Sequence, residues 1–243
     1  MSWVLENLDV IAGYTGAHLV QALPPILLAF ALSLPLAKLA NSRGWLRTGV
    51  TTTSGLMYAI PSLPLFVLLP GLIGTGVTTT SGLMYAIPSL PLFVLLPGLI
   101  GTGVRSPLNI VIALTLYGLA LMVPTASDGF RSVSRDVLGS ATAQGYAPGA
   151  RFWQVELPLA GPVLLGGVRV VAVSTISLVT VGGVLGVPSL GMLFVDGVRR
   201  GIVAEIAAGV VATAALALLT DALLVLLGRL LMPWHRGREG SRP

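Results

Sequence analysis

Cysteine is absent from the 243-residue sequence, and charged residues are scarce. Without cysteine, the chain forms neither disulfides nor thiolate metal sites. Aspartate, glutamate, lysine and arginine together make up 9% of the residues, whereas they make up about 25% of an average soluble domain. The scarcity of charge therefore excludes an ordinary soluble domain.

Sequence signals of catalysis are missing as well. The chain contains no HExxH and no GxSxG motif, the patterns that hold a catalytic zinc or present a serine nucleophile. His18 and His235 have no acid or second histidine at ligand spacing, and we expect both at a membrane interface. There is no Walker motif, and the single lysine, Lys38, lies outside any glycine-rich loop. We therefore expect that this chain is not an enzyme and that it holds no metal, no cofactor and no ATP of its own.

Long apolar segments dominate what is present, since hydrophobic residues make up 54% of the chain. Four apolar runs cover residues 18–37, 108–123, 162–187 and 206–231. Each is close to the ~20 residues that a helix needs to cross the hydrocarbon core. The first fifteen residues contain Glu6 and Asp9 but no lysine or arginine, so we expect no cleavable signal peptide. The sequence predicts an all-α polytopic membrane protein.

A 27-residue segment at 51–77 recurs without a change at 78–104. Solenoid repeats diverge and number three or more, so a recent duplication or an error in the recorded sequence explains the two copies better. One copy would form a helix of about 40 Å, which is long enough to span. We predict that one copy spans and that the other forms a re-entrant or external hairpin, which gives five crossings. Deleting residues 78–104 would then stabilise the protein.

The positive charges predict the orientation of these crossings, because lysine and arginine are enriched in cytoplasmic loops. With the N-terminus outside, nine positive residues lie inside: Lys38, Arg43, Arg47, Arg131, Arg135, Arg151, Arg236, Arg238 and Arg242. Three lie outside: Arg105, Arg199 and Arg200. This distribution between loops also explains the net charge of +5 without any nucleic-acid partner. Residues 131–158 and the C-terminal tail are thereby predicted to be cytoplasmic, with Ser106 and Ser140 on opposite sides of the membrane.

Residues 131–158 carry a spacing pattern around a glycine. Nine residues separate Gly145 from Val155, which is followed by Glu156, Leu157 and Pro158. This pattern resembles the cytoplasmic "EAA" loop of ABC importer permeases, although the position of its glutamate is Gly139 here. The resemblance implies two short helices with a turn at the glycine, one of which docks on an ATPase subunit. It assigns the following residues to that coupling loop: Gly139, Ser140, Ala141, Thr142, Ala143, Gln144, Gly145, Tyr146, Ala147, Pro148, Val155, Leu157 and Pro158.

Further segments resemble the permeases of osmoprotectant ABC importers, which take up glycine betaine, choline, carnitine and related quaternary ammonium compounds. These segments are IPSL at 60–63 and 87–90, TLYGL at 115–119, VELPLAGP at 155–162 and LALLTDALL at 216–224. Two positions depart from the family, since Pro64 replaces an alanine and the stretch at 186–191 reads GVPSLG. The resemblance implies a five-span type-I ABC importer permease core at 17–231, between an external segment at 1–16 and a basic cytoplasmic tail at 232–243.

The resemblance also implies the partners and the location. It predicts a separate ATPase subunit, a second permease subunit of the same or a homologous sequence, and an extracytoplasmic substrate-binding protein, all at a bacterial cell membrane. Two other interpretations remain open: a permease for another small solute, such as an amino acid, and an ion-coupled secondary transporter. Secondary transporters commonly contain inverted repeats of several spans, whereas the tandem copy here is direct and short.

Two charged residues, Arg169 and Asp221, lie within apolar runs. Charges inside a membrane are costly and therefore pair or serve a function. We predict an ion pair between the fourth and fifth spans, with Arg169 about 10 Å and Asp221 about 16 Å from the cytoplasmic helix ends. A purely structural role, locking the two helices together, is the simpler interpretation.

Overall fold

The computed structural model describes residues 2–42, 101 and 105–233, and within these ranges the chain is helical without any strand. The helices are α1 (Ser2–Glu6), α2 (Leu8–Ser42), α3 (Pro107–Arg131), α4 (Arg135–Ala143), α5 (Pro148–Arg151), α6 (Leu157–Val184), α7 (Gly191–Arg200) and α8 (Val203–Leu231). A π-helical segment, Phe152–Glu156, joins α5 to α6. The predicted all-α architecture is confirmed.

Within the described residues, four helical stretches are long and apolar enough to cross a membrane: α2, α3, the continuous run Pro148–Val184 and α8. They correspond to the four long apolar runs of the sequence. The fifth predicted crossing was assigned to one copy of the 27-residue repeat. Apart from Gly101, both copies lie outside the described residues, as do Arg43, Arg47 and the tail beyond residue 233.

Several helices extend beyond the apolar runs of the sequence. Helix α3 does not end with its run at residue 123 but continues through Pro124 to Arg131, because proline is tolerated in membrane helices. Helix α6 begins at Leu157 rather than Pro162, so Pro158 directly follows the junction with the π-helical segment.

His18, which we expect at a membrane interface, is fully buried against the rest of the chain. Helix α2 begins at Leu8, ten residues before His18, so this side chain lies about 15 Å along the helix. The His18 Nε2 atom lies 3.0 Å from the Ile176 carbonyl oxygen of α6. Nearby, the Gln21 side-chain amide donates to the Pro188 carbonyl at 2.6 Å. Both polar side chains therefore fasten α2 to α6 and to the segment that follows α6.

The core forms where α2, α3 and α6 pack on one another. Small residues allow this close approach, as is common between membrane helices. A Cβ added at Gly118 of α3 would lie 2.7 Å from the Ala29 Cβ of α2. A Cβ added at Gly167 of α6 would lie 2.6 Å from the Thr125 Cγ2 of α3. Helix α8 contributes much less to this core, and its leucines are largely exposed within the single chain.

Candidate coupling loop and intramembrane ion pair

The loop around Gly145 consists of two helices joined by a tight turn. Helix α4 is capped at its N-terminus by Ser134, whose hydroxyl accepts a hydrogen bond from the Asp136 N–H at 3.2 Å. At its C-terminus, the Gly145 N–H donates to the Thr142 carbonyl and the Tyr146 N–H to the Ala141 carbonyl. This pair of bonds is the Schellman motif, which requires a left-handed residue directly after the helix. The two-helix arrangement follows directly from this glycine-terminated cap.

Gly145 meets that requirement with a φ of +86°. The space around it is open, since no atom lies within 4 Å of an added Cβ. The sequence pattern was compatible either with a lack of space or with a positive φ at this glycine. Of these two reasons, only the positive φ applies, because an L-residue with a Cβ is strained in that conformation.

Most of the predicted coupling-loop residues lie on the surface of the chain. The exposed ones are Gly139, Ser140, Thr142, Ala143, Gln144, Gly145, Tyr146, Ala147 and Pro148. Ala141 is buried, while Val155, Leu157 and Pro158 are half-buried where the polypeptide re-enters the helical bundle. The Arg151 Nη1 donates to the Thr142 Oγ1 at 2.7 Å and so bridges α5 and α4 across the glycine turn. The loop thus presents a continuous, internally braced surface.

One ion pair at the base of this loop was not foreseen from the sequence. The Lys38 Nζ of α2 donates to both carboxylate oxygens of Glu156, at the end of the π-helical segment. Glu156 is only 4% exposed. Lys38 had been interpreted only as a topology-determining charge, and Glu156 only as part of the loop pattern. The one available signal was that the single lysine of the chain directly follows the apolar run 18–37, while Glu156 precedes the run 162–187.

Arg169 and Asp221 form a two-pronged ion pair between α6 and α8. The Arg169 Nε lies 2.7 Å from the Asp221 Oδ1, and the Arg169 Nη2 lies 2.8 Å from the Asp221 Oδ2. This fork geometry is the strongest that arginine forms with a carboxylate. Because α6 begins at Leu157, Arg169 lies twelve residues, or about 18 Å, from that helix end, and Asp221 lies ten residues, or about 15 Å, from Leu231. The two depths match more closely than the sequence had indicated.

Acids and histidines do not cluster further in the described part of the chain, where no group of three could hold a metal ion. A further ion pair within the described residues joins Arg200, at the end of α7, to Glu205 of α8 at 3.9 Å. The other two pairs described above are Lys38–Glu156 and Arg169–Asp221. Both pairs join different helices, and both bind the Pro148–Val184 run: Glu156 and Arg169 lie on it, thirteen residues apart.

Relatives with known roles match between 35% and 81% of the chain. The osmoprotectant import permease protein OsmW of Salmonella typhimurium (strain LT2) is 29% identical over 200 residues, which cover 81% of this chain and 80% of that protein. The ergothioneine transport permease/ergothioneine binding protein EgtU of Helicobacter pylori (strain G27) is 30% identical over 85 residues, which cover 35% of this chain and 15% of that protein.

Solved structures share the fold. An inward-facing crystal form of the MetNI methionine ABC transporter superposes with a TM-score of 0.70 at 15% identity, covering 92% of this chain and 97% of that chain. A second crystal form of the same transporter gives a TM-score of 0.53 at 18% identity, covering 81% and 98%. These similarities confirm the predicted type-I ABC importer permease fold.

The family assignment rests on the whole membrane region. A family model described as the binding-protein-dependent transport system inner membrane component matches residues 16–237. This match includes the coupling loop and both ion pairs. The chain therefore belongs to that family and is the permease component of an ABC importer.

Proposed function

We propose that this permease imports osmoprotectants of the quaternary ammonium class, such as glycine betaine, choline or carnitine. The observation that carries the substrate class is the likeness to OsmW, which extends over 81% of this chain rather than over the coupling loop alone. The apolar helices provide the membrane path, and ATP hydrolysis by a separate subunit supplies the energy. This chain itself contributes no catalytic group.

The coupling loop is the proposed contact with the ATPase subunit. It supports this role because its helices are exposed, braced by the Arg151–Thr142 hydrogen bond and continuous with a membrane helix through the run Pro148–Val184. A displacement of α5 would therefore move the N-terminal end of α6. Residues 139–148 provide the docking surface, and Val155, Leu157 and Pro158 return the chain to the bundle.

Two more partners complete the proposed importer. A second permease subunit, identical or homologous, frames the translocation pathway together with this one, in keeping with the exposed apolar surface of α8. An extracytoplasmic binding protein delivers the cationic ligand, which aromatic side chains of that partner recognise through cation–π attraction. The assembly lies in a bacterial cell membrane, with the N-terminus of this chain outside and its C-terminus in the cytoplasm.

Uptake by the reconstituted complex tests the substrate class. Proteoliposomes would contain this chain with its ATPase, second permease and binding-protein partners, and radiolabelled glycine betaine would be the substrate. We expect ATP-dependent uptake that unlabelled choline or carnitine inhibits and that methionine leaves unchanged.

Ergothioneine is the informative competitor, because the partial likeness to EgtU favours it as a second candidate. Uptake of radiolabelled ergothioneine without any uptake of glycine betaine would replace the osmoprotectants with that substrate. Uptake that continues without ATP, or without the ATPase subunit, would contradict an ABC importer and favour a secondary transporter. Omitting the binding protein is the matched control, and it should reduce uptake to the level of empty liposomes.

A further inference from the structure

The pair of Lys38 and Glu156 joins the first membrane helix to the base of the coupling loop, across 118 positions of sequence. The Glu156 side chain is 6% exposed and the Lys38 side chain 46% exposed. A carboxylate that is buried to this degree requires a partner, because an isolated buried charge is strongly disfavoured. The ammonium group therefore holds Glu156, while its own outer side remains accessible.

Two aromatic rings complete the environment of the ammonium group. The Lys38 Nζ lies 5.2 Å from the ring centroid of Phe152 and 5.9 Å from that of Phe130, both within the range of cation–π attraction. The two rings also contact each other, with centroids 5.5 Å apart. Phe152 begins the π-helical segment and Phe130 lies near the end of α3, so the Lys38 ammonium group on α2 contacts two further elements of the bundle.

One helical turn further along α2, a second polar contact fixes the same helix end. The Asn41 amide donates to the Ser127 carbonyl of α3 at 3.1 Å, and the Ser127 hydroxyl donates to the Asn41 Oδ1 at 2.7 Å. The end of α2 is thus fastened to α3 by Asn41 and to the loop base by Lys38. Only the Lys38 contact reaches the segment that carries the coupling loop.

The backbone at this contact departs from the α-helical pattern. The segment Phe152–Glu156 is π-helical, with the Leu157 N–H donating to the Phe152 carbonyl five residues earlier. Single π-turns within helices are frequent at functional sites. Here the wider turn separates the exposed α5 from the membrane helix α6, and Glu156 is its last residue. The ion pair therefore lies where a motion of the loop enters the membrane domain.

We propose that Lys38 and Glu156 are positioning residues for ATP-driven transport: their ion pair makes α2 move together with the loop base. This inference rests on the proposed function, because it assumes that residues 139–148 dock on an ATPase. In the absence of the pair, α5 and the π-helical segment would still follow the ATPase, but α2 would no longer be held to them. ATP hydrolysis would then proceed with less transport per cycle.

Charge-neutral variants test this inference in the reconstituted complex. For Lys38→Gln and Glu156→Gln we expect normal ATP hydrolysis per assembled complex, while glycine betaine uptake per ATP falls by roughly 2- to 30-fold, the range in which residues between two coupled sites change their coupling. Lys38→Gln should also lower the yield of complex, because it leaves the buried Glu156 carboxylate without its partner. The double variant should be no worse than either single variant, because partners in one contact are not additive. Lys38→Arg keeps the charge and should retain most of the uptake per ATP.

Asp128→Asn is the matched control, because it removes an exposed acid at the same end of the bundle, and it should leave all three quantities unchanged. Uptake per ATP that stays normal in both Gln variants would overturn the inference. The inference would also be overturned if, in every variant including Lys38→Arg, uptake fell only in proportion to the yield of assembled complex. The pair would then serve folding alone. The complex without substitutions separates the failure of this inference from the failure of the proposed function. If that complex shows no ATP-dependent uptake, the proposed function itself fails.

Discussion

Replacement of Gly145 by valine is expected to abolish ATP-driven uptake while the protein still inserts and assembles its membrane helices. The backbone at Gly145 has a φ of +86°, where an L-residue costs about 1–2 kcal/mol and a β-branched residue is a pronounced outlier. The Schellman cap of α4 would therefore be lost, and α4 would no longer be held against α5. Uptake, stimulation of the ATPase and the yield of inserted protein are the measurements.

Two further variants separate conformation from space at this position. Asparagine tolerates the left-handed region better than other non-glycine residues, so Gly145→Asn should retain more uptake than Gly145→Val. Gly149→Val is the matched control, because Gly149 lies in the same exposed loop, also with open space around it, but without a positive φ. Normal uptake by Gly145→Val would overturn the assignment of this turn to the docking surface.

Loss of either member of the Arg169–Asp221 pair is expected to lower the yield of folded protein several-fold. In Asp221→Asn the Arg169 guanidinium keeps its charge but loses both contacts of its fork, and in Arg169→Gln the carboxylate is left alone. Removing one partner is more harmful than removing both, because the remaining charge is uncompensated. The double variant should therefore recover part of the yield. Size-exclusion chromatography of detergent-solubilised protein measures the folded fraction.

The same variants distinguish a structural pair from a transport residue. If the pair only locks α6 to α8, uptake normalised to the amount of folded protein should be unchanged in every variant. Arg199→Gln provides the control, since it removes an exposed arginine in α7 without touching this pair. Additive losses of yield in the double variant would show that Arg169 and Asp221 do not depend on each other.

Sequence predicts the coarse features of this protein because few alternatives satisfy them. Long apolar runs with little charge are stable in a bilayer only as α-helices or as strands of a closed barrel, because both satisfy every backbone hydrogen bond. A glycine directly after a short helix is the usual residue for a left-handed cap, which identified the turn at Gly145. Arg169 and Asp221 could be expected to meet, because a charge within an apolar run has few possible partners.

Helix ends were harder to predict than helices. Apolar runs mark the part of a helix that contacts lipid or core, whereas α2 and α3 continue well beyond it through polar sequence. The first apolar run begins at His18, for example, although the helix begins at Leu8. Helix α3 likewise continues through Pro124, since its packing against α2 and α6 outweighs the local preference of proline to end a helix.

The Lys38–Glu156 contact could not be predicted by any local rule. Its members are 118 residues apart, and a lysine at the end of an apolar run is explained equally well by membrane topology. The π-helical turn that presents Glu156 has no recognisable spacing in the sequence. Only the packing of α2 against the start of α6 brings the two side chains together.

Cysteine accessibility in the intact complex most directly tests whether residues 139–148 form a cytoplasmic contact with the ATPase. The chain has no cysteine of its own, so Ser140→Cys and Glu6→Cys, both at exposed positions, can each carry a single label. We expect a membrane-impermeant maleimide to modify residue 6 only from outside and residue 140 only from the cytoplasmic side. Modification of residue 140 should slow markedly once the ATPase subunit is bound. Labelling of residue 140 from outside, or at the same rate with and without the ATPase, would contradict the docking of this loop.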